Sequence, residues 1–303
     1  MTAPTAVAVS VKATAVQPRP RRIRKASLFG NAVMIVGLLY FLTPLLWLVL
    51  AATKTNGSLF NSFGFWFAQP FNLFQNIGDV FARDNGVYVI WMRNTLIYAC
   101  SAAALSTLIA ALAGYAFAVY DFRGGRALFA IVIGSVFVPA SVLAVPLFFM
   151  MSKLGLSNTL VAIILPALVN PFGVYLMRIY TDKAVPRELL DAARVDGAGE
   201  LRIFATVAFR LLAPGLVTVL LLAFVGAWNN YFLPLLLLSK SDTFPLTVGV
   251  TYWNSLAVQP GNVQVIYAIV VTASLIAIIP VMVAFLIVQR YWEGGLTVGG
   301  VKE

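Results

Sequence analysis

Long apolar stretches alternate with short polar ones along most of the chain. Six stretches carry no Asp, Glu, Lys or Arg: Leu28 to Ala52, Asn94 to Tyr120, Ala127 to Ser152, Thr159 to Met177, Leu211 to Ser239 and Val265 to Gln289. A helix crossing the ~30 Å hydrocarbon core needs about 20 apolar residues. The pattern therefore predicts an all-α, polytopic membrane protein with six transmembrane helices, spanning about 28–52, 94–120, 127–152, 159–177, 211–239 and 265–289. The first apolar run far exceeds the roughly 7–15 residues of a signal-peptide core and reads as an uncleaved first span.

Composition agrees: 61% of the 303 residues are hydrophobic and 11% charged, against roughly 25% charged in soluble domains. A net charge of +10 would suggest nucleic acid in a soluble protein, but here the charges are divided among short loops between apolar spans. Lys and Arg set the orientation of such a chain. The N-terminal tail, the loop with Arg123 and Arg126, the polar loop 178–210 and the C-terminus together hold sixteen. The other side holds five: Lys54, Arg83, Arg93, Lys153 and Lys240. Both termini and the polar loop are thus expected in the cytoplasm. Residues 1–26 read as a disordered basic tail and 27–303 as one transmembrane domain. The external loop from Thr53 to Met92 is rich in aromatics, including Phe60, Phe63, Trp66 and Phe71; such rings settle at the bilayer interface.

The chain has no histidine and one cysteine, Cys100. This leaves no disulfide within the chain, removes the commonest general base and metal ligand, and gives no expectation of a cofactor or metal site. Five of the six spans contain proline, which breaks a backbone hydrogen bond that neighbouring helices or a water-lined path must replace. Two of these places also carry amides: Asn170-Pro171, and Asn229-Asn230 ahead of Pro234. Asn170, Asn229 and Asn230 either hydrogen-bond between helices or line a polar substrate path.

The one long polar stretch runs from Pro186 to Pro214. Pro186 suits a first helical position. Arg187, Asp191 and Arg194 share a face at i, i+4 and i+7 and can pair around Asp191. Asp196-Gly197-Ala198-Gly199 should end that helix, because two glycines in three residues favour a turn. A second helix, Glu200 to about Phe209, then leads into the fifth span. Spacing alone leaves two readings open, an interfacial helix pair or a docking surface.

Residues 188–198, Glu-Leu-Leu-Asp-Ala-Ala-Arg-Val-Asp-Gly-Ala, resemble the EAA loop of ABC importer permeases, in the form found in carbohydrate-uptake permeases of the maltose-transporter type. The resemblance extends over most of the chain after residue 90: Gly114 to Ala118 ahead of Phe122-Arg123-Gly124, Asn170-Pro171-Phe172, Trp228 to Tyr231, and the tail from Gln289 through Lys302. There are two departures. Asp191 stands where the motif has Glu, and Phe209-Arg210 stands where Leu-Pro is common, with Pro214 matching a later proline.

The resemblance implies a type I ABC importer permease fold with a cytoplasmic coupling-helix loop, in a bacterial cell membrane. It implies assembly with a second homologous permease, a dimer of separate ABC ATPase subunits that bind ATP and Mg, and an extracytoplasmic solute-binding protein, with no nucleic-acid partner. It assigns ATPase coupling to Glu188, Asp191, Ala192, Ala193, Asp196 and Gly197. In this resemblance Asp191 forms a salt bridge or cap at the contact, Ala192 and Ala193 pack closely, and Gly197 makes the turn. No stretch fits GxxxxGK[ST], the phosphate-cradling loop, so ATP hydrolysis is expected on a partner chain. The rivals are a secondary transporter, which should show intramembrane acids, and a membrane-embedded enzyme, which needs an acid/base set. The six stretches offer neither a charged residue nor a histidine.

Overall fold

The computed structural model describes residues 28–258 and 266–298. The basic tail and Gly299–Lys302 of the C-terminal motif lie outside the described residues. The chain divides into two compact units, Met1–Leu45 and Leu46–Glu303. Helix α1 (Leu28–Ala52) coincides with the first predicted span and contains Pro44. Within the first unit most of its side chains are exposed; an apolar surface on every side suits a lipid or helical environment rather than water.

All elements of the second unit that are described are helical. They are α2 (Asn56–Asn61), α3 (Leu73–Ala82), a tight turn Arg83–Gly86, α4 (Val87–Val119), α5 (Gly125–Ser135), α6 (Ala140–Lys153), α7 (Leu160–Ala167) and α8 (Pro171–Ala184). Then come α9 (Arg187–Val195), α10 (Glu200–Ile203), a π-helical turn (Phe204–Ala208), α11 (Phe209–Leu211), α12 (Ala213–Trp228), α13 (Phe232–Leu237), α14 (Leu246–Val258) and α15 (Tyr267–Val298). Helix α4 is the hub, packing against α8 and α12 and also against α7 and α14. Lipid tails are as apolar as leucine, so close packing rather than water exclusion must hold such helices together. The buried face of α4 supplies it with small residues, among them Ala99, Ala102, Ala103, Ser106, Ala110, Ala111 and Gly114. A Cβ on Gly114 would lie 2.6 Å from the Met177 Cβ and 2.7 Å from the Arg178 backbone nitrogen. Only glycine permits that crossing of α4 and α8.

The six predicted spans are not six straight rods. Three stretches are long and apolar enough to cross a bilayer: Phe29–Ala52, Leu73–Val119, which turns at Arg83–Gly86 between α3 and α4, and Tyr267–Gln289. The other three are bent pairs, 101° between α5 and α6, 41° between α7 and α8, and 82° where Glu200–Leu211 meets Ala213–Trp228. Proline accounts for the position of each bend. Pro139 precedes α6. Pro171 opens α8 and pushes Asn170 out of the helical region (φ −124°, ψ 79°), as expected for a residue before proline. Pro214 sits in the first turn of α12, beside the bend at Leu212. The stretch predicted as a fifth span, 211–239, contains a helix only to Trp228; Asn229 and Asn230 interrupt it before the short α13. Helices α3 and α14, absent from the prediction, pack on α15 and α4.

The buried side chains form two cores. One surrounds Tyr88, Trp91, Tyr98 and Trp253. The other joins Tyr115 of α4 and Met177 of α8 to Leu190, Ile203 and Leu212 of the polar loop and its exit. Helix α4 also satisfies the backbone of the segment after α13: Trp91 Nε1 donates to the Ser241 carbonyl (2.7 Å), Asn94 Nδ2 to those of Asp242 (2.8 Å) and Phe244 (3.1 Å), and Thr95 Oγ1 accepts from the Leu246 N–H (2.7 Å).

Candidate functional site

The polar loop folds as a helix, a turn and a second helix. Pro186 caps α9 in an extended conformation (ψ 134°) rather than occupying its first turn. Glu188 lies in that first turn, where a negative charge favours the helix dipole. The helix ends in a Schellman arrangement. The Gly197 N–H donates to the Arg194 carbonyl and the Ala198 N–H to the Ala193 carbonyl, each at 3.0 Å. Gly197 has φ +79°, the left-handed region that costs other residues energy. Ala193 and Ala198 are the apolar pair of the motif, and both pack on the second core.

Burial divides the loop into two faces. Leu190 (1% exposed) and Ile203 (0%) anchor it to α4 and α8, while Val195 (88%) and Leu201 (80%) project outward. Glu188, Asp191, Ala192, Asp196 and Gly197 are exposed, and Ala193 is half-buried. The structure therefore gathers the six expected coupling residues on one short helix and its cap. The charge pattern differs in part from the prediction. Arg194 binds Asp191 (2.7 Å) but also Glu200 (2.8 Å) across the turn, whereas Arg187 enters no ion pair among the described residues. The Tyr120 hydroxyl at the end of α4 donates to Glu200 Oε2 at 2.6 Å. Hydrogen bonds from Arg194 first, and from Tyr120 second, hold the Glu200 carboxyl below the usual carboxylate range. The Tyr120–Glu200 link joins residues 80 apart in sequence, and no local pattern announces it.

The three amides separate. Asn170 and Asn230 line one cavity of about 270 Å³ between α4, the α7–α8 break and α12. Asn170 Oδ1 caps α8 by accepting from the Gly173 N–H at 2.9 Å. Asn230 Nδ2 donates to the Tyr98 hydroxyl at 2.8 Å. Asn229 instead donates to the Val225 carbonyl of its own helix (2.9 Å) and faces a different cavity with Trp228, Tyr231 and Thr247. The prediction did not include Tyr98, an aromatic residue in an apolar run without a distinguishing neighbour. Among the described residues no group of three or more His, Cys, Asp or Glu side chains could hold a metal ion.

A family model for the inner membrane component of binding-protein-dependent transport systems matches residues 106–297. The arabinooligosaccharides transport system permease protein AraQ of Halalkalibacterium halodurans is 36% identical over 259 residues, 86% of this chain and 90% of that protein. The lactose transport system permease protein LacG of Rhizobium radiobacter is 31% identical over 284 residues, covering 93% and 98%. Among solved structures, a chain of a bacterial ABC transporter involved in importing the acidic polysaccharide alginate superposes with a TM-score of 0.76 at 25% identity, covering 90% of this chain and all of that one.

Proposed function

The chain belongs to the family of binding-protein-dependent transport system inner membrane components, among the carbohydrate-uptake ABC permeases, and from that premise we propose how it works. It forms half of a sugar translocation path through a bacterial cell membrane, the other half being a second, homologous permease. All six apolar stretches cross the bilayer: three within α1, α4 and α15, two as the bent pairs α5–α6 and α7–α8, and the fifth through α12, which the loop enters at the 82° bend. Both termini and the polar loop face the cytoplasm, in keeping with the sixteen Lys and Arg on that side. A dimer of separate ATPase subunits, which bind ATP and Mg, receives α9 in a cleft. A solute-binding protein delivers sugar from outside.

The observation that carries this reading is the two-faced loop. Its inner side is locked into the core by Leu190 and Ile203, and its outer side presents Ala192, Val195, Asp196 and Leu201 to solvent. Val195 and Leu201 lie outward on the same short loop as Asp191, Ala192 and Asp196, and together they supply the apolar and charged groups that a docking partner would cover. Asp191 is engaged by Arg194, so at the contact it acts with Arg194 as one unit rather than as a free acid. ATP-driven closure of the ATPases then shifts the balance between inward-facing and outward-facing states. The substrate path runs by Asn170 and Asn230, with Asn229 on its margin.

Purification of the tagged chain from its native membrane tests this reading. A second permease and a Walker-type ATPase should co-elute, and Val195→Asp with Leu201→Asp should release the ATPase while retaining the permease. Retention of the ATPase by that double variant would remove the loop as its docking surface.

A further inference from the structure

The stretch Glu200–Leu211 meets α12 at 82°. With α12 crossing the bilayer, this stretch runs close to the membrane plane at the point where the chain enters lipid. Its inner side is fixed, since Ile203, Phe204 and Ala208 belong to the second core. Its outer side exposes Leu201, Arg202, Ala205, Thr206, Phe209 and Arg210.

A regular α-helix would not line these residues up. At 3.6 residues per turn, positions eight apart diverge by about 80°. The π-helical turn Phe204–Ala208 supplies one extra residue: the Phe209 N–H donates to the Phe204 carbonyl, five positions back, instead of the usual four. Thr206 Oγ1 also donates to the Arg202 carbonyl at 2.7 Å, a side-chain bond of the kind that bends helices. Eight positions then turn as seven normally do, close to two full turns. Arg210 comes into line with Arg202, and Phe209 with Leu201. An edge-on contact with the buried Phe204 ring, at 6.1 Å between centroids, sets the Phe209 ring. A basic row thus lies beside an apolar one. Phe209 and Arg210 are also the two residues at which the loop's exit departs from the EAA pattern it resembles.

Charge and position choose the occupant. Neither Arg202 nor Arg210 enters an ion pair among the described residues. Glu200, the acid nearest to them in sequence, is taken by Arg194 and Tyr120. Arg210 stands three positions before α12, where the span begins. Its neighbours Phe209 and Leu211 are 42% and 37% exposed and offer apolar surface at the same depth. Arginine presents a planar pair of donors to phosphate, and its carbon stem can lie along apolar surface while the head reaches outward. An anionic phospholipid satisfies both rows, with phosphate for one and acyl chain for the other.

We propose that Arg202 and Arg210, aligned by the π-helical turn, bind the phosphate groups of anionic phospholipid in the inner leaflet, with Phe209 and Leu211 against its acyl chains. The inference rests on the proposed cytoplasmic placement of the loop.

The test reconstitutes the complete transporter, ATPases included, in vesicles of phosphatidylglycerol and phosphatidylcholine. The complex is then extracted, and the lipids that stay bound are counted by native mass spectrometry. The unsubstituted complex should retain phosphatidylglycerol in preference. Arg202→Gln and Arg210→Gln should each lower that preference roughly fivefold, the scale of one arginine at an anionic surface. Phe209→Arg combined with Arg210→Phe keeps composition and charge but takes the second arginine off its row, and should lower the preference as far as Arg210→Gln. Arg123→Gln with Arg126→Gln removes two charges from another loop and should leave it unchanged. No preference in the unsubstituted complex, an equal loss from the Arg123 and Arg126 pair, or full retention by the exchanged variant would overturn the site. Release of the ATPase by Arg210→Gln, with lipid retention unchanged, would assign the row to the ATPase contact instead. An unsubstituted complex without an ATPase would remove the transporter reading and with it the cytoplasmic placement, whereas failed lipid retention with the ATPase in place removes the site alone.

Discussion

Gly197 and Gly199 stand two residues apart in the same turn, and the structure asks different things of them. Gly197 has φ +79°, with nothing within 4 Å of an added Cβ. Gly199 has φ −73°, and its added Cβ is equally unobstructed. Steric crowding is thus absent at both, and only the backbone conformation separates them. An L-residue in the left-handed region costs about 1–2 kcal/mol, which shifts a local equilibrium roughly 5–30-fold. Asn tolerates that region better than Ala, and a β-branched residue is the worst case. The ordered turn should therefore be populated in the order Gly, Asn, Ala, Val at position 197, while Gly199→Ala weakens only the N-cap of α10 and should leave that turn in place. The amides of Asp196, Gly197 and Ala198 report on it directly, because they donate to the carbonyls of Ala192, Arg194 and Ala193. Hydrogen exchange at these amides should accelerate in the stated order, and binding-protein-stimulated ATP hydrolysis should fall in step. Global melting should barely change, since Leu190 and Ile203 still anchor the loop. Equal exchange and equal coupling in Gly197→Asn and Gly197→Val would refute the reasoning, as would a Gly199→Ala variant as impaired as Gly197→Ala.

Gly114→Ala places a Cβ 2.6 Å from that of Met177, against an optimum of roughly 3.5–4.0 Å. Helices α4 and α8 must part, at a cost of about 1–3 kcal/mol; the purified complex should melt earlier, and an unchanged melting temperature counts against so close a crossing. Lys54 is buried and its amine donates to Ser62 Oγ (3.0 Å) and the Phe63 carbonyl (2.7 Å). Lys54→Met keeps the bulk but leaves those acceptors without that donor, at about 1–3 kcal/mol, so the Trp66 loop should become more accessible to a soluble fluorescence quencher. The Glu200 carboxyl is held below the usual range by Arg194 and Tyr120. Its contribution is therefore complete above the ordinary value of about 4.3 and disappears as pH falls through the lowered one. Loop hydrogen exchange, corrected for intrinsic rate, should be flat from pH 6 to 8 and rise only in acid, and Glu200→Gln should abolish the acid rise.

Several elements were legible because their signal is local. Helix α1 is uncharged throughout and has the predicted bounds. The turn at Gly197 follows from two nearby glycines, and the helix before it from its charge and apolar spacing. The bends were legible only as prolines, since a proline gives the position of a break but not its angle. The predicted fifth span failed after Trp228 for a different reason. Residues 229–239 are apolar enough to continue a helix, but the segment after them is held by Trp91, Asn94 and Thr95, about 150 positions earlier. Helices α3 and α14 were missed for the same cause: each is short, and each is fixed by packing against α15 and α4 rather than by length or composition.

The loop and the cavity, described separately so far, share two rigid parts. Helix α4 runs unbroken from Val87 to Val119, with Tyr98 on the cavity and Tyr120 at its end bonded to Glu200. Helix α8 is capped by Asn170 on the cavity and passes Met177 at the Gly114 crossing before Pro186 opens the loop. If an ATPase docks at α9 as proposed, a displacement of α9 would reach the cavity through two helices that cross closely at Gly114, where an added Cβ would lie 2.6 Å from that of Met177. In that proposal two loop contacts would carry the force: the Tyr120–Glu200 bond on α4, and the burial of Leu190 and Ile203 in the core they share with Tyr115 of α4 and Met177 of α8. Severing the first with Tyr120→Phe should leave the second in place and weaken coupling partially. Combining it with Gly114→Ala should weaken coupling by more than the two separate losses together, because both act on one mechanical unit. Simple additivity in that double variant would mean that force reaches the cavity by another route.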